Sequence, residues 1–471
     1  MRILFLQENG YYESIGVMYI SAFLKRSGHT VELFIAAEER HLFNRIKEFA
    51  PDLIAVSATT DMHSWVITMA KACKKMLNVP MMIGGPHPTC FPEIIKSRNI
   101  DMICQGEGEY ALVEYANRFD SGGDLTSVPG IWVKRHRKVI PNPPGNLIQD
   151  FSDFPLPDRQ LYYKYPFIKD MPMKRFITGR GCPFYCAFCH NQLLKGVFAG
   201  KGAYVRKMPV QKIIQEIREV RKQYPVKSIH FSDDTFVLNR QWVIDFCKIY
   251  KRKVGIPFSC NVRADLVNEP LVRVLRTAGC HAVSFGVESG NEAIRNRVLH
   301  KNISDNTILR AVDILRKYNI RFLTTNMVGV PGETIESVYD TIRFNRRIQA
   351  DFTRCFIFDA FPGLPLSHEA VRMGLLPRSY SLRQFTALSH RPIIRSVRHD
   401  SLRNICSLFP VLVMRYIPER IAYALVNLPH TRVTYILGRL QQAYVEMRFF
   451  RIQLVPGLRY AFHTLRSFHS N

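Results

Sequence analysis

The chain has 471 residues and lacks any uncharged apolar run approaching the ~20 residues that a helix needs to cross a bilayer. The two nearest candidates, residues 404–414 and 421–431, are each bracketed by Arg. A spanning segment is therefore not expected, although an interfacial one remains open. At the start, Ile3-Leu4-Phe5-Leu6 gives way at once to Gln7 and Glu8, too short an apolar stretch for a signal peptide. The expectation is a cytoplasmic protein that rests at most against the inner face of the membrane. Internal repeats and low-complexity tracts are also absent. With 47% hydrophobic residues, disorder and a small disulfide scaffold are excluded, and at about 100–200 residues per domain the length implies two to four domains.

Acidic charge is scarce, and unevenly so. The formal net charge is +26. Residues 1–150 hold 16 Lys and Arg against 16 Asp and Glu, residues 151–379 hold 36 against 20, and residues 380–471 hold 13 against 3. Lysine is missing from that last stretch, where every basic residue is Arg. Anionic partners are thus expected for the later segments and not for the first, which is no nucleic-acid platform.

Residues 1–130 alternate short apolar runs with helical patterns, as a doubly wound parallel sheet requires. Strands are predicted at 2–7, 30–34, 53–57, 80–83 and 101–104, with helices at 20–27 and 65–77. Ligands of such sheets bind beyond the carboxyl ends of the strands, so loops 8–15, 58–64, 84–91 and 105–109 are the ones of interest. Residues 139–172, rich in Pro, Asp and Tyr, read as a linker wrapping between two domains. From 173 to 365 the alternation resumes, with strands at 175–178, 228–231, 258–261, 282–287, 322–328 and 353–358 and helices at 210–223, 241–253, 269–278 and 303–318. Six strand–helix units predict a partial (β/α)6 barrel with its site at the carboxyl ends of the strands. Residues 366–471 read as a basic, mainly helical region. Within it Arg391, Arg395 and Arg398, and again Arg448 and Arg451 with Phe449, Phe450, Leu454 and Val455, suggest either a helical cap or a peripheral face for anionic lipid.

Eleven cysteines in a cytosolic chain point to metal or thiol chemistry. Eight are scattered singly and read as small buried hydrophobes. The other three stand in Thr178-Gly179-Arg180-Gly181-Cys182-Pro183-Phe184-Tyr185-Cys186-Ala187-Phe188-Cys189-His190, a Cys-x3-Cys-x2-Cys spacing. Three thiolates this close on one loop can hold three corners of a [4Fe–4S] cube and leave one iron open. A zinc site would need a fourth ligand, and His190, adjacent to Cys189, is poorly placed to supply it.

This loop resembles the cluster motif of the radical S-adenosylmethionine superfamily. The resemblance implies that Cys182, Cys186 and Cys189 bind the cluster, and that its open iron chelates S-adenosylmethionine. Reductive cleavage then yields a 5′-deoxyadenosyl radical that abstracts hydrogen from substrate. Later motifs fall in the family's order. Phe188 sits where an aromatic flanks the adenine. Ser232 and Asp233 end the second strand in Phe231-Ser232-Asp233-Asp234-Thr235-Phe236, and Arg263 ends the third and is offered to a carboxylate. Glu288 and Ser289 lie in the fourth-strand motif Ser284-Phe285-Gly286-Val287-Glu288-Ser289-Gly290. Val330 and Gly332 lie in the adenine-proximal motif Asn326-Met327-Val328-Gly329-Val330-Pro331-Gly332-Glu333-Thr334.

Residues 1–138 resemble the cobalamin-binding domain that precedes the radical domain in one large subfamily. The resemblance rests on Gly84, Gly85, Pro86 and His87 after one strand and Gly106 and Glu107 after the next, and it implies contacts from Ser57 and Thr59 as well. The glycines are expected to let backbone approach a bulky ligand. Asp61-Met62-His63-Ser64-Trp65-Val66 is similar to the Asp-x-His-x-x-Gly cobalt-ligating motif, but Val66 replaces the Gly and the segment follows the third strand. His63 is accordingly expected to be a loop histidine and not a cobalt ligand. The whole implies a cobalamin-dependent radical enzyme that transfers a methyl group to an unactivated carbon of a small-molecule or lipid substrate, with flavodoxin or ferredoxin as electron donor. The runner-up is radical cyclisation or ring rearrangement without methyl transfer, as in the anaerobic porphyrin-ring cyclases. A non-catalytic corrinoid sensor and a methylthio-transferring RNA modifier fit less well, the latter because Cys73, Cys90 and Cys104 are not spaced as a second cluster set. Nucleic acid is not expected as a partner.

Overall fold

The computed structural model describes all residues except 11–12, 137, 383–384, 386–392 and 453–471. Arg391, Leu454 and Val455 therefore lie outside the described residues. The described residues divide into two compact units, one formed by Met1–Asp170 with Leu193–Tyr224, the other by Met171–Gln192 with residues 225–452.

The first unit is a doubly wound sheet. Its strands are β1 (Arg2–Gln7), β2 (Thr30–Ile35), β3 (Leu53–Ser57), β4 (Met81–Gly84), β5 (Met102–Cys104), β6 (Ile131–Arg135) and β7 (Lys138–Ile140), in the order β2-β1-β3-β4-β5-β6-β7. The first five are parallel, and their unbroken apolar runs are buried on both faces, as helix-covered strands must be. Strand order reverses beside β1, which places the ligand crevice at the ends of β1 and β3. The antiparallel β6–β7 hairpin escaped the sequence reading, because both strands are short and interleaved with Lys and Arg. Residues 139–170 are not a loose connector. Phe154 packs edge-on against Tyr19 and Phe23 at 5.6 and 4.9 Å. Helix Val210–Gln223, which the alternation assigned to the barrel, groups with this first unit, where Glu216 forms a buried pair with Arg159 at 2.5 Å.

The second unit is built on six parallel strands, β8 (Met173–Phe176), β9 (Ser228–Phe231), β10 (Phe258–Asn261), β11 (Cys280–Glu288), β12 (Arg321–Val328) and β13 (Phe352–Ile357), each hydrogen-bonded to its neighbour in sequence. This is the partial barrel. Its β8 lies two residues earlier than predicted. The reason is that the Thr178 N–H and hydroxyl leave the ladder and donate to the Asp233 carboxylate, at 3.0 and 2.7 Å. Phe231, Phe236, Phe246, Tyr250 and Phe258 form one aromatic cluster under the sheet.

The tail is helical over His399–Leu412, Glu419–Asn427 and Arg432–Phe449. Residues 393–398 form no helical turn, so Arg395 and Arg398 do not share a helix face. Helix His399–Leu412 belongs to the core: Leu402, Ile405, Phe409 and Leu412 pack with Val328, Val338, Ile342 and Cys355. Phe449 and Phe450 are buried at the amino-terminal end of the barrel. There the Phe450 carbonyl accepts from the Ser228 hydroxyl at 2.7 Å and the Phe449 carbonyl lies 3.1 Å from His281 Nε2. Among the described residues no helix is long and apolar enough to cross a membrane.

Candidate functional site

The three clustered cysteines lie on the loop that follows β8 at the carboxyl edge of the second sheet. All three are free and part-exposed. The loop is pinned along its length. The Ala187 N–H donates to the Leu299 carbonyl at 2.9 Å, its carbonyl accepts from Leu366 N–H, and the Gln192 amide donates to the carbonyls of Tyr185 and Cys186 at 2.8 and 3.0 Å. Each sulfur has a polar neighbour: Thr235 Oγ1 at 3.9 Å from Cys182, the Arg263 guanidinium at 3.6 Å from Cys186, and the Asn191 amide at 3.6 Å from Cys189. Burial pushes the thiols of Cys182 and Cys189 above the ordinary cysteine range. Such thiols become good ligands once a metal of the cluster takes the proton's place. No three His, Cys, Asp or Glu side chains among the described residues converge as around a single ion.

The other barrel residues gather at the same edge but do different things. The Ser232 hydroxyl is buried and has no hydrogen-bond partner among the described residues, which suits a polar ligand group. Both Asp233 carboxylate oxygens accept from Thr178, so this residue latches β8 to β9. Arg263 stacks 3.6 Å over Phe184, pairs through two nitrogens with Asp265 at 3.1 Å, and donates to the Lys301 carbonyl at 2.9 Å. Its charge is already shared with Asp265. Glu288 sits in the left-handed region at φ 65°, and its carboxylate accepts from Lys301 Nζ at 2.9 Å. A Cβ on Gly286 would lie 1.6 Å from that carboxylate, so only glycine lets it fold back. Ser289 is fully buried and accepts from the Asn291 N–H at 3.2 Å. Phe188 and Val330 meet in one apolar cluster with Ala187, Leu299 and Phe358. Gly332 adopts φ 79°, a turn that only glycine makes without strain.

Three residues here escaped the sequence reading. Arg295 is wholly buried and ties the loop after β11 to the carbonyls of Ser289 and Ile303, at 2.8 and 2.7 Å. Lys301 neutralises Glu288. Glu333 is buried, with one carboxylate oxygen accepting from the N–H groups of Gly329 and Val330 and the other without a hydrogen-bond partner among the described residues, and burial pushes its pKa up to about 8. An Arg or Glu amid a Gly-rich turn gives no sign in sequence of being inside.

In the first unit the loops after β3, β4 and β5 are stitched together. The Thr89 hydroxyl donates to the Gly85 carbonyl at 2.7 Å and accepts from the Gly106 N–H at 3.1 Å. Gly85, at φ 91°, has Ala58 backbone atoms 2.9 Å from where a Cβ would stand, and Gly106, at φ 105°, has Pro144 at 3.2 Å. These two glycines therefore serve close loop packing, where the sequence reading expected them to clear space for a ligand. Ser57 Oγ lies against Gly85, Thr59 is exposed, and Gly84 has ordinary clearance, with Cys104 Cβ at 3.6 Å. Glu107 accepts from Arg206 and from the Ile148 N–H, at 2.9 and 2.8 Å, which engages it within the unit. Pro86 and His87 open a short helical turn. The fully buried His87 ring lies 2.8 Å from Nδ1 of the half-buried His63.

Two family profiles match the chain, the B12 binding domain over residues 1–116 and the radical SAM superfamily over residues 176–344. An uncharacterised methyltransferase of Pyrococcus horikoshii is 30% identical over 403 residues, 84% of this chain and 85% of its own. The anaerobic magnesium-protoporphyrin IX monomethyl ester cyclase of Rubrivivax gelatinosus is 26% identical over 397 residues, 78% of this chain and 70% of its own. Among solved structures, the radical S-adenosylmethionine methyltransferase TsrM of Kitasatospora setae superposes with a TM-score of 0.65 at 17% identity, covering 79% of this chain and 76% of that one, and so shares the fold.

Proposed function

This chain belongs to the cobalamin-binding radical S-adenosylmethionine enzymes, and on that premise we propose that it methylates an unactivated carbon of a small-molecule substrate. Its cofactors are a [4Fe–4S] cluster, S-adenosylmethionine and cobalamin, and like its family it draws on a reductant. When bound, the cluster and S-adenosylmethionine supply a hydrogen-abstracting radical and the corrinoid supplies a methyl group. The observation that carries the reading is the pinned three-thiol loop at the carboxyl edge of a six-stranded parallel sheet, in one chain with a doubly wound domain.

The chain's own residues hold and orient. Cys182, Cys186 and Cys189 are assigned to the cluster. The Ser232 hydroxyl is the unspent hydrogen-bonding group for S-adenosylmethionine, while Phe188 and Val330 offer the apolar wall for its adenine. Arg263, Glu288, Asp233, Ser289 and Gly332 act from behind, by fixing the strand-end loops. Ser57, Thr59, Gly84, Gly85, Pro86, His87, Gly106 and Glu107 form the stitched edge assigned to cobalamin. Domain limits of 1–138, 139–172, 173–365 and 366–471 remain our assignment, with flavodoxin or ferredoxin as the reductant.

We further propose that the protein rests against an anionic membrane, with a lipid or a secondary metabolite as the substrate. The support is helix Arg432–Phe449, where Val433, Ile436, Leu440 and Tyr444 are exposed beside Arg432 and Arg448. The test of the chemistry is product analysis. Methylation forms S-adenosylhomocysteine together with 5′-deoxyadenosine when the reconstituted, reduced enzyme is given cell extract containing its substrate. Deoxyadenosine without S-adenosylhomocysteine would sink methylation and favour cyclisation, the reaction that the name of the Rubrivivax relative gives it.

A further inference from the structure

Successive side chains of a strand face opposite ways, so the inner wall of the barrel follows from what packs outside it. Phe231 of β9 packs outward on Phe246 and Tyr250 of helix Arg240–Lys253, and its neighbour His230 therefore points inward. On β13, Cys355 shares the outer cluster with Leu402 and Ile405 of helix His399–Leu412, which turns Arg354 and Phe356 inward. β8 and β13 are the two edge strands of the sheet, and Arg175 of β8 stands opposite His230 in the pairing of β8 with β9. Burial first, and then the charges of Arg175 and Arg354, hold the His230 imidazole well below the ordinary histidine range. Arginines from both edges thus face one interior.

Of these, Arg354 is under-satisfied. Its Nε and Nη2 are both buried, and among the described residues neither has a hydrogen-bond partner. The Glu446 carboxylate lies 3.0 Å from Nη2 but outside hydrogen-bonding geometry, so it balances charge without engaging the fork. Nε and Nη2 form the side edge of the guanidinium, the edge that grips two oxygens of one carboxylate or phosphate in parallel. An edge of this kind left unmade inside a protein is costly. Positive charge is also in excess at this end of the barrel: Arg175, Arg321 and Arg354, with Arg448 and Arg451 near Arg321, outnumber the carboxylates of Asp351 and Glu446.

Arg354 stands three residues before the carboxyl end of β13, about 10 Å down the strand. Its side chain is 21% exposed, and Phe356, nearer the mouth on the same face, is 48% exposed, so the inner wall is open from the mouth down to Arg354. Met327 stands opposite Phe356 in the pairing of β12 with β13 and adds to the apolar upper wall. We propose that the substrate is an apolar acid, its carboxylate or phosphate gripped by the Nε–Nη2 edge of Arg354 and its apolar body lying against Phe356 and Met327. The far end of such a molecule is presented at the mouth, where the three-thiol loop stands. This rests on the radical-enzyme reading above and deepens it by naming the substrate class. Arg354 acts as a specificity residue: a neutral analogue would leave its edge unmade and be rejected for that reason.

The test is calorimetric titration of the full-length, cluster-reconstituted protein, without turnover, using octanoate, octyl phosphate and octanol as probes. At least one of the two acids should bind about tenfold or more tightly than octanol, and which one does so tells a carboxylate from a phosphate. Arg354→Gln should bring acid and alcohol to within about twofold of each other at unchanged iron content. Arg354→Lys, which keeps the charge but not the two-point edge, should retain only part of the preference. Arg354→Gln combined with Glu446→Gln strands no buried carboxylate and carries the same expectation if the single variant does not fold. Equal binding of acids and alcohol by wild type, or a preference that survives loss of the Arg354 guanidinium, would overturn the proposal and leave the radical chemistry standing. Protein that takes up no iron would overturn the cluster assignment, and the same titration on it would still decide the anion site.

Discussion

Single side chains at the site divide into ligands, latches and one buried acid, and each has its own expected behaviour. Cys186→Ala, reconstituted anaerobically with iron and sulfide, should lose most of its iron and its reduced-cluster signal. Retention of a full [4Fe–4S] cluster would remove the cluster assignment. Arg263 brings a positive charge and an N–H to the Cys186 sulfur, and both favour the reduced, more negative cluster. Arg263→Gln should therefore make the cluster's midpoint potential more negative in a redox titration, and an unchanged potential would reduce the residue to packing. Glu333 has a folded pKa raised from 4.5 to about 8 by burial. Between those values the fold keeps a proton that the unfolded chain has released, so this group's contribution to stability is complete below about 4.5 and is lost as pH rises through about 8. The midpoint of thermal unfolding should fall across that window in wild type and flatten in Glu333→Gln. None of these three roles is visible in composition: the cysteines could be read from spacing, but Arg263 and Glu333 act through neighbours distant in sequence.

At the level of elements, the strand ends of the barrel are positioned by close backbone approach. A Cβ on Gly290 would lie 2.4 Å from the Asp340 carbonyl and 2.5 Å from Thr341 Cα, both in helix Ile335–Ile348. Unlike the flexible carboxylate facing Gly286, that backbone cannot swing aside. Gly290→Ala should cost about 3 kcal/mol or more, read as a lower denaturant midpoint, and an unchanged midpoint would mean the loop has slack. Most strands were legible because their burial on both faces writes an apolar run. Strands β1, β3, β9 and β10 fall where the pattern put them. Helix Val210–Gln223 was equally legible as a helix, with Ile213, Ile217 and Val220 on one stripe. Its grouping was not, because a stripe says that a face is buried and not against what.

Across the whole chain the +26 charge no longer suggests a polyanion-binding protein, since residues 1–150 are balanced. The Arg-rich tail that holds part of the excess is not a detachable arm. Helix His399–Leu412 fills the core beside β12 and β13, and Phe449 with Phe450 closes the base of the barrel. Deleting residues 380–471 would therefore unfold the second unit and test nothing about membranes. The informative variant is Val433→Ser, Ile436→Ser and Leu440→Ser together, all exposed positions. It should leave the unfolding midpoint nearly unchanged and strongly reduce co-sedimentation with vesicles rich in anionic lipid, and equal sedimentation would remove this helix from membrane contact. The sequence by itself determined the two α/β sheets, the three-thiol loop and the cofactors they imply, because strand burial and ligand spacing are local and leave their mark in consecutive residues. Only the tertiary structure decided that Asp233 is a latch, that Gly85 and Gly106 serve loop packing, that His63 lies against His87, and that helix His399–Leu412 is core. Each of those depends on which distant groups share one small volume, and no local pattern encodes that.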